Sequence, residues 1–267
     1  MTKLFSPHPA SILIIMVFLS TLAHADAPWE RFAINIGRFI TDQGTEFRFD
    51  ASPQDPGTRI DLEDDLALDE DEQVTRVDWF WRYRRRSRLD FSYFELDRNA
   101  TISLNRLIEF GEIDFPPGAT VATDFDLEIF KSAYTYAFFQ NPTFELGVTA
   151  GIFAMNLRLA LDAPLLGKEE EDEAFVPLPV VGLRGTYAIT PKLFLRASWE
   201  YFKISEDDLE GRLIDTNIML EHNTFKNVGF GIGFNIVDFD LEDNDGEEKD
   251  EFNMDYEGVQ LYTKVYF

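Results

Sequence analysis

The chain has 267 residues, with 24 Lys and Arg against 49 Asp and Glu, and a formal net charge of −25. So acidic a composition disfavours a nucleic-acid partner, because phosphate backbones are held by basic surfaces. With no Cys at all, disulfides, thiolate metal sites and a lipid anchor on cysteine are excluded.

Residues 1–25 have the make-up of a secretory signal peptide. Lys3 supplies a basic start, 12–19 an apolar core, and Ala23-His24-Ala25 the small residues that a signal peptidase inspects. The apolar stretch is short for a membrane helix of ~20 residues. Cleavage after Ala25 leaves 26–267 as one domain beginning at Asp26. It removes one Lys and no acid, which takes the net charge from −25 to −26. Beyond Ala25 no apolar run is long enough to cross a membrane as a helix, yet the whole chain carries 26 Phe that need shelter.

Alternation of period two, the signature of strands, governs the mature chain. The first strand, 31–49, changes the parity of its apolar face between Ile36 and Phe47 around Gly44, which reads as one bulged strand or two short ones. In 73–83, Val77, Trp79, Trp81 and Tyr83 oppose Arg76, Asp78 and Arg82. After Arg84-Arg85-Arg86-Ser87, the strand 88–98 sets Leu89, Phe91 and Tyr93 against Asp90 and Ser92. A strand at 120–138 precedes the longest alternation, 143–161. There Phe144, Leu146, Val148, Ala150, Ile152 and Ala154 oppose Glu145, Gly147, Thr149 and Gly151.

The second half repeats the scheme. In 175–189, Val181, Leu183 and Tyr187 oppose Arg184 and Thr186. In 192–204, Leu193, Leu195, Ala197, Trp199 and Tyr201 oppose Arg196, Ser198 and Glu200. In 209–222, Ile214, Ile218 and Leu220 face away from Asp215, Asn217 and Glu221. In 227–240, Phe230, Ile232, Phe234 and Ile236 oppose Gly229, Gly231, Gly233 and Asn235. The last strand, 256–267, has Val259, Leu261, Thr263, Val265 and Phe267 on one face and Gln260, Tyr262 and Lys264 on the other.

Short connections at 84–87, 140–142, 190–192 and 222–227 alternate with long acidic ones near 52–72, 162–174, 203–210 and 238–256, and a mixed one at 99–119. Strands of ~10 residues with short turns at one end and long loops at the other predict a transmembrane antiparallel up-and-down β-barrel of the outer membrane. Several runs exceed that length, so these strands are expected to project beyond the bilayer. Both ends of such a barrel lie in the periplasm, which makes the strand number even; ten fits, and eight or twelve require a merger or a split. A soluble β-sandwich is the competing all-β fold, but its second face would be routinely charged. Here Gly, Ser, Thr and Asn mix into that face, as a narrow lumen demands. Aromatic residues also gather near turns, where amphipathic rings prefer the membrane interface.

The ending 256–267, alternating and closed by Phe267, resembles the C-terminal signal that Gram-negative outer-membrane proteins present to the barrel-assembly machinery. The resemblance implies that Leu261, Thr263, Val265 and Phe267 are read during insertion. Ile60-Asp61-Leu62-Glu63-Asp64-Asp65-Leu66, Arg88-Leu89-Asp90-Phe91-Ser92-Tyr93-Phe94 and Val181-Gly182-Leu183-Arg184-Gly185 resemble a poorly characterised group of proteobacterial barrel proteins. That resemblance spans most of the mature chain. It implies an integral outer-membrane protein amid lipid and lipopolysaccharide, and implies no activity and no cofactor.

Catalytic constellations are thin. Lipid-modifying barrel enzymes and omptin-like proteases place His with Ser or Asp near the rim. Here the mature chain keeps only His222, at an expected periplasmic turn, away from Ser198 and Ser205. Asp243-Asn244-Asp245-Gly246-Glu247 fails as a calcium loop, because Leu241 and Phe252 fall where carboxylates are required. Asp61, Glu63, Asp64 and Asp65, and Glu169, Glu170 and Glu171, are acid-rich enough for weak divalent binding or for a bridge to lipopolysaccharide phosphates. The more specific signal is a set of inward charges of both signs: Arg76, Asp78, Arg82, Asp90, Glu145, Arg184, Arg196, Glu200, Asp215, Glu221 and Lys264. Buried charges need partners. The set therefore predicts an ion-pair plug in a non-enzymatic structural or surface-interaction barrel; a small selective channel is the alternative.

Overall fold

The computed structural model describes residues 29–49, 58–110, 113–205, 209–244 and 249–267. The expected signal peptide and cleavage point lie outside these residues. Ten long strands form one antiparallel barrel. They are β1 Phe32–Phe49, β2 Asp71–Arg84, β3 Ser87–Ser103, β4 Thr120–Gln140, β5 Phe144–Ala163, β6 Lys168–Thr190, β7 Leu193–Ser205, β8 Leu209–His222, β9 Val228–Asn244 and β10 Lys249–Tyr266. Each pairs with its neighbour in sequence, and β10 returns to pair with β1 from Ala33↔Tyr266 to Phe49↔Asp250. That closure excludes a sandwich.

The expected short turns sit where the sequence placed them, whereas the acidic connections differ. Most of 162–174 and 238–256 is strand: β5 and β6 reach Ala163 and Lys168, and β9 and β10 reach Asn244 and Lys249. In 238–242 the acids alternate with apolar residues and share one face of a tall wall, whereas the five consecutive acids 169–173 fall on both faces of β6. Part of 99–119 also belongs to β3, and a short hairpin, Ile108–Phe110 with Ile113–Phe115, follows.

One rule organises the wall: the polarity of its two faces inverts at a common height. Toward the short turns the outer face is apolar and the inner face polar, as bilayer and lumen require. Across β3 to β6 the outer rung Tyr93–Phe130–Ala154–Pro177 is followed by Glu95–Glu128–Asn156–Phe175, then by Asp97–Asp126–Arg158–Glu173. Inside, Ser92–Lys131–Phe153–Leu178 gives way to Phe94–Ile129–Met155–Val176 and Leu96–Leu127–Leu157–Ala174. Above the bilayer, then, the wall is polar outside and apolar within.

This inversion corrects the reading of β1. Its register against β10 runs without a shift, so it is neither bulged nor divided. Ile36 and Ile40 are exposed on the outer face, while Phe39 and Phe47 are buried inside. The change of apolar parity marks the passage from lipid to core.

Residues of the first outer connection fill the upper barrel. Ile60, Leu62, Leu66 and Leu68 are buried there, with Leu104, Ile108, Phe110 and Phe115 from the next connection. Arg98 fixes the insertion by pairing with Glu63 and donating to Thr45 Oγ1 at 2.7 Å, while the Thr45 amide donates to Glu63 at 2.9 Å. Two glycines on the inner face make room for rings. A Cβ on Gly231 would lie 2.3 Å from the Tyr262 ring, and one on Gly258 2.6 Å from the Phe39 ring.

Candidate functional site: the charged lumen

The polar half of the lumen brings together all the inward charges expected from the alternation. Seven cations meet seven carboxylates: Arg76, Arg82, Arg88, Lys131, Arg184, Arg196 and Lys264 against Glu30, Asp78, Asp90, Glu145, Glu200, Asp215 and Glu221. The layer is therefore neutral inside a strongly acidic protein.

At the periplasmic end, Arg82 holds Glu145 through two hydrogen bonds of 2.9 Å. Beside it Glu221 accepts from Arg196 at 2.7 Å, from Lys264 at 2.6 Å and from the Tyr262 hydroxyl at 3.0 Å. Glu30, just before β1, accepts from Arg196 at 2.6 Å, Lys264 at 2.5 Å and Asn223 at 2.9 Å. The chain entering the barrel is thus its lower stopper. Trp29 assists by donating its indole N–H to the Asn141 carbonyl at 3.2 Å.

At mid-height Arg88 donates to both oxygens of Asp90, at 3.0 and 2.5 Å, and Thr135 adds a third bond of 2.7 Å. Arg184 lies between Asp90 at 3.8 Å and Glu200 at 3.5 Å. Lys131 bridges Glu200, at 2.8 Å, and Asp215. Arg184 and Arg196 are close in height, since Ser198 pairs with Arg184 and Arg196 with Thr186. Each has its own carboxylate, which relieves their repulsion.

Arg76 seals the top of the layer. It donates to Asp78 at 3.0 Å and Asn235 at 2.6 Å, and its guanidinium is 5.2 Å from the centroids of both Phe39 and Phe94. Cation–π contact and apolar packing meet on one side chain there. The cavity left within the layer is about 70 Å³, with Asn35, Ser92 and Asn217 among its walls. That is room for about two waters.

Three contributors were not singled out from the sequence. Arg88 and Lys131 had a signal, because the outward phase of Leu89 and Phe91, and of Tyr134 and Tyr136, turns both inward. Glu30 had none, since it precedes the first alternating residue.

At the other expected sites the side chains are mostly engaged within the chain. Leu261 faces outward in the lipid belt, and Phe267, 44% exposed, clasps β1 by donating its amide to the Phe32 carbonyl at 2.9 Å. Thr263 and Val265 pair with Ile36 and Ile34. The acids of the first outer connection find partners close by: Glu63 in Arg98, Asp65 in Arg106, and Asp61 in the Asp64 amide at 2.7 Å. Burial works against the charge of Asp65, but the Arg106 guanidinium and the Asp61 amide hold its carboxyl below the usual range. Glu171 is taken by Arg158 at 2.6 Å. Among the described residues no group of three or more His, Asp or Glu is placed to hold a metal. His222 Nδ1 sits 2.9 Å from Thr224 Oγ1 at an exposed turn, and Ser198 is buried in the lumen.

No protein-family model matches the chain, and no curated protein matches its sequence. Solved structures match its shape. The outer membrane protease OmpT from Escherichia coli is 9% identical, covering 88% of this chain and 97% of its own, with a TM-score of 0.53. The outer membrane protein OprG from Pseudomonas aeruginosa is 9% identical over 91% of this chain and 99% of its own, with a TM-score of 0.41. The Ralstonia pickettii toluene transporter TbuX is 9% identical over 90% of each chain, with a TM-score of 0.35. At such identities the likeness concerns the fold alone. Closed wall, apolar belt and the shape shared with OmpT agree: the chain is an integral β-barrel protein of the outer membrane, its lumen crossed by buried ion pairs.

Proposed function

We propose that this barrel is a sealed, non-catalytic structural element of the outer membrane that meets lipopolysaccharide at its surface. The observation that carries the reading is the two-storey filling, a neutral ion-pair layer beneath an apolar core. Among the described residues neither storey offers a path for solute. After removal of 1–25, Leu261, Thr263, Val265 and Phe267 serve as the signal read by the barrel-assembly machinery.

Two outer features support contact with lipopolysaccharide. Arg38 is exposed among the apolar Ile36, Ile40 and Leu261 near the top of the belt, from where a long side chain reaches headgroup phosphates. Above it Asp42, Asp255 and Glu257 share neighbouring rungs, where divalent ions bridge carboxylates to phosphates.

Replacing Arg184 and Arg196 together by Ala tests the structural role. Removing one partner of a buried pair typically costs about 3–5 kcal/mol. The heat-modifiable folded form should therefore convert at a clearly lower temperature. Unchanged stability with altered ion selectivity would favour a channel instead.

A further inference from the structure

The wall is not uniformly tall. β7 and β8 are short, and the ladder between β6 and β7 ends at the pair Val181↔Tyr201. Above it β6 continues to Lys168, paired only with β5, and β7 continues to Ser205, paired only with β8. Among the described residues, the β7-side edge of 168–180 has no strand beside it. Pro177 and Pro179 fall in this stretch, and proline has no N–H to offer a neighbour, so the sequence itself holds the edge open. Pro177 pairs with Ala154, after which the outer face of β5 turns polar at Asn156 and Arg158, so the notch opens at the upper edge of the lipid belt.

Behind the notch lies a cavity of about 220 Å³, walled by Phe47, Leu157, Leu159, Val176, Leu241 and Phe252. An apolar cavity of ~150 Å³ already admits a benzene-sized guest. The same cavity is lined by Asp172, Asp243, Asp250 and Glu251 and by no base. Glu251 is engaged by Arg59 and Arg48, and Asp172 and Asp243 are exposed.

We propose that this notch is a lateral binding site for a cationic amphiphile, a molecule with one short hydrocarbon chain and an ammonium-like head. The chain enters from the outer leaflet between β6 and β7 and lies against Leu157, Val176 and Phe252. The head stays at the rim with Asp172 and Asp243. Anionic headgroups are repelled there, which selects against the phosphorylated lipids of the surrounding leaflet. The sealed lumen below is not involved, so the site opens to membrane and exterior only.

n-Octylamine is the probe and octanoate its anionic counterpart, each titrated calorimetrically into the protein in phosphatidylcholine nanodiscs, with empty nanodiscs subtracted. The expected result is saturable binding of octylamine and binding of octanoate weaker by about tenfold or more, the ratio that ~1.4 kcal/mol of charge preference gives. Ala174 is exposed on the cavity side of β6. Ala174→Trp should fill the space and abolish saturable binding while the barrel keeps its heat-modifiable mobility. Asp172→Asn with Asp243→Asn, both at exposed positions, should bring the two probes close to equal affinity. No saturable heat above the empty nanodisc, undiminished binding to Ala174→Trp, or octanoate binding as tightly as octylamine would each overturn the proposal.

Discussion

Glu221 shows how the lumen distributes its risk. It neutralises Arg196 and Lys264 while accepting from Tyr262, so its loss leaves two buried cations sharing Glu30. Glu221→Ala should cost about 3–5 kcal/mol, whereas Glu95→Ala on the exposed outer face should stay within about 0.5 kcal/mol. Urea unfolding in lipid vesicles separates the two, and equal losses would contradict a lumen held by ion pairs. Asp65 acts at another height and has a sign of its own. Its folded carboxyl lies below the ordinary 3.8, so the bond to Arg106 contributes fully above that value and fades as pH falls through the folded one. The difference in melting temperature between wild type and Asp65→Asn should therefore be constant above about pH 5 and shrink below 3.8. A difference that grew on acidification would reverse the sign.

Strand elements were legible in the sequence wherever lipid and lumen both left their mark. Val148 and Thr149 could only face opposite ways, and so the charged inner faces of β2, β5, β6, β7 and β8 could be read directly. What stayed hidden was the upper wall. Alternation there persists with reversed meaning, as in β5, where Ile152 is exposed to lipid but Leu157 and Leu159 are buried. A local pattern records that two faces differ and does not record which solvent each one meets. For the same reason the run at 238–244 looked like a loop, while 169–173 looked like one because five acids in a row leave no apolar face to read. Glu30 stayed hidden for a different reason: it enters the lumen from outside any strand. Pro177 and Pro179 were a readable sign of an edge, because proline is tolerated in a sheet only where no neighbour needs its N–H.

The inversion in β5 can be tested with one residue type on one face. Ala150 faces outward within the belt, between Tyr134 and Val181, and Ala160 faces outward above it, between Asp124 and Glu171. Ala150→Arg should destabilise the barrel by about 2–4 kcal/mol, the cost of Arg at mid-bilayer depth. Ala160→Arg gains two carboxylate neighbours in water and should change stability by no more than about 0.5 kcal/mol. Folding titrations in vesicles read both. A cost at Ala160 equal to that at Ala150 would place lipid where the inverted wall requires water.

Taken whole, the molecule is a membrane cylinder closed twice over. Charge neutrality closes the lower half, where the cavity is about 70 Å³, and side chains from two outer connections close the upper half. Its excess acid is left to the outer faces and loops above the belt. The direct measurement is single-channel recording of the wild-type barrel in a planar bilayer. A barrel closed in this way should be electrically silent at moderate voltage, with rare flickers at most. Steady ion conductance through single inserted barrels would contradict it.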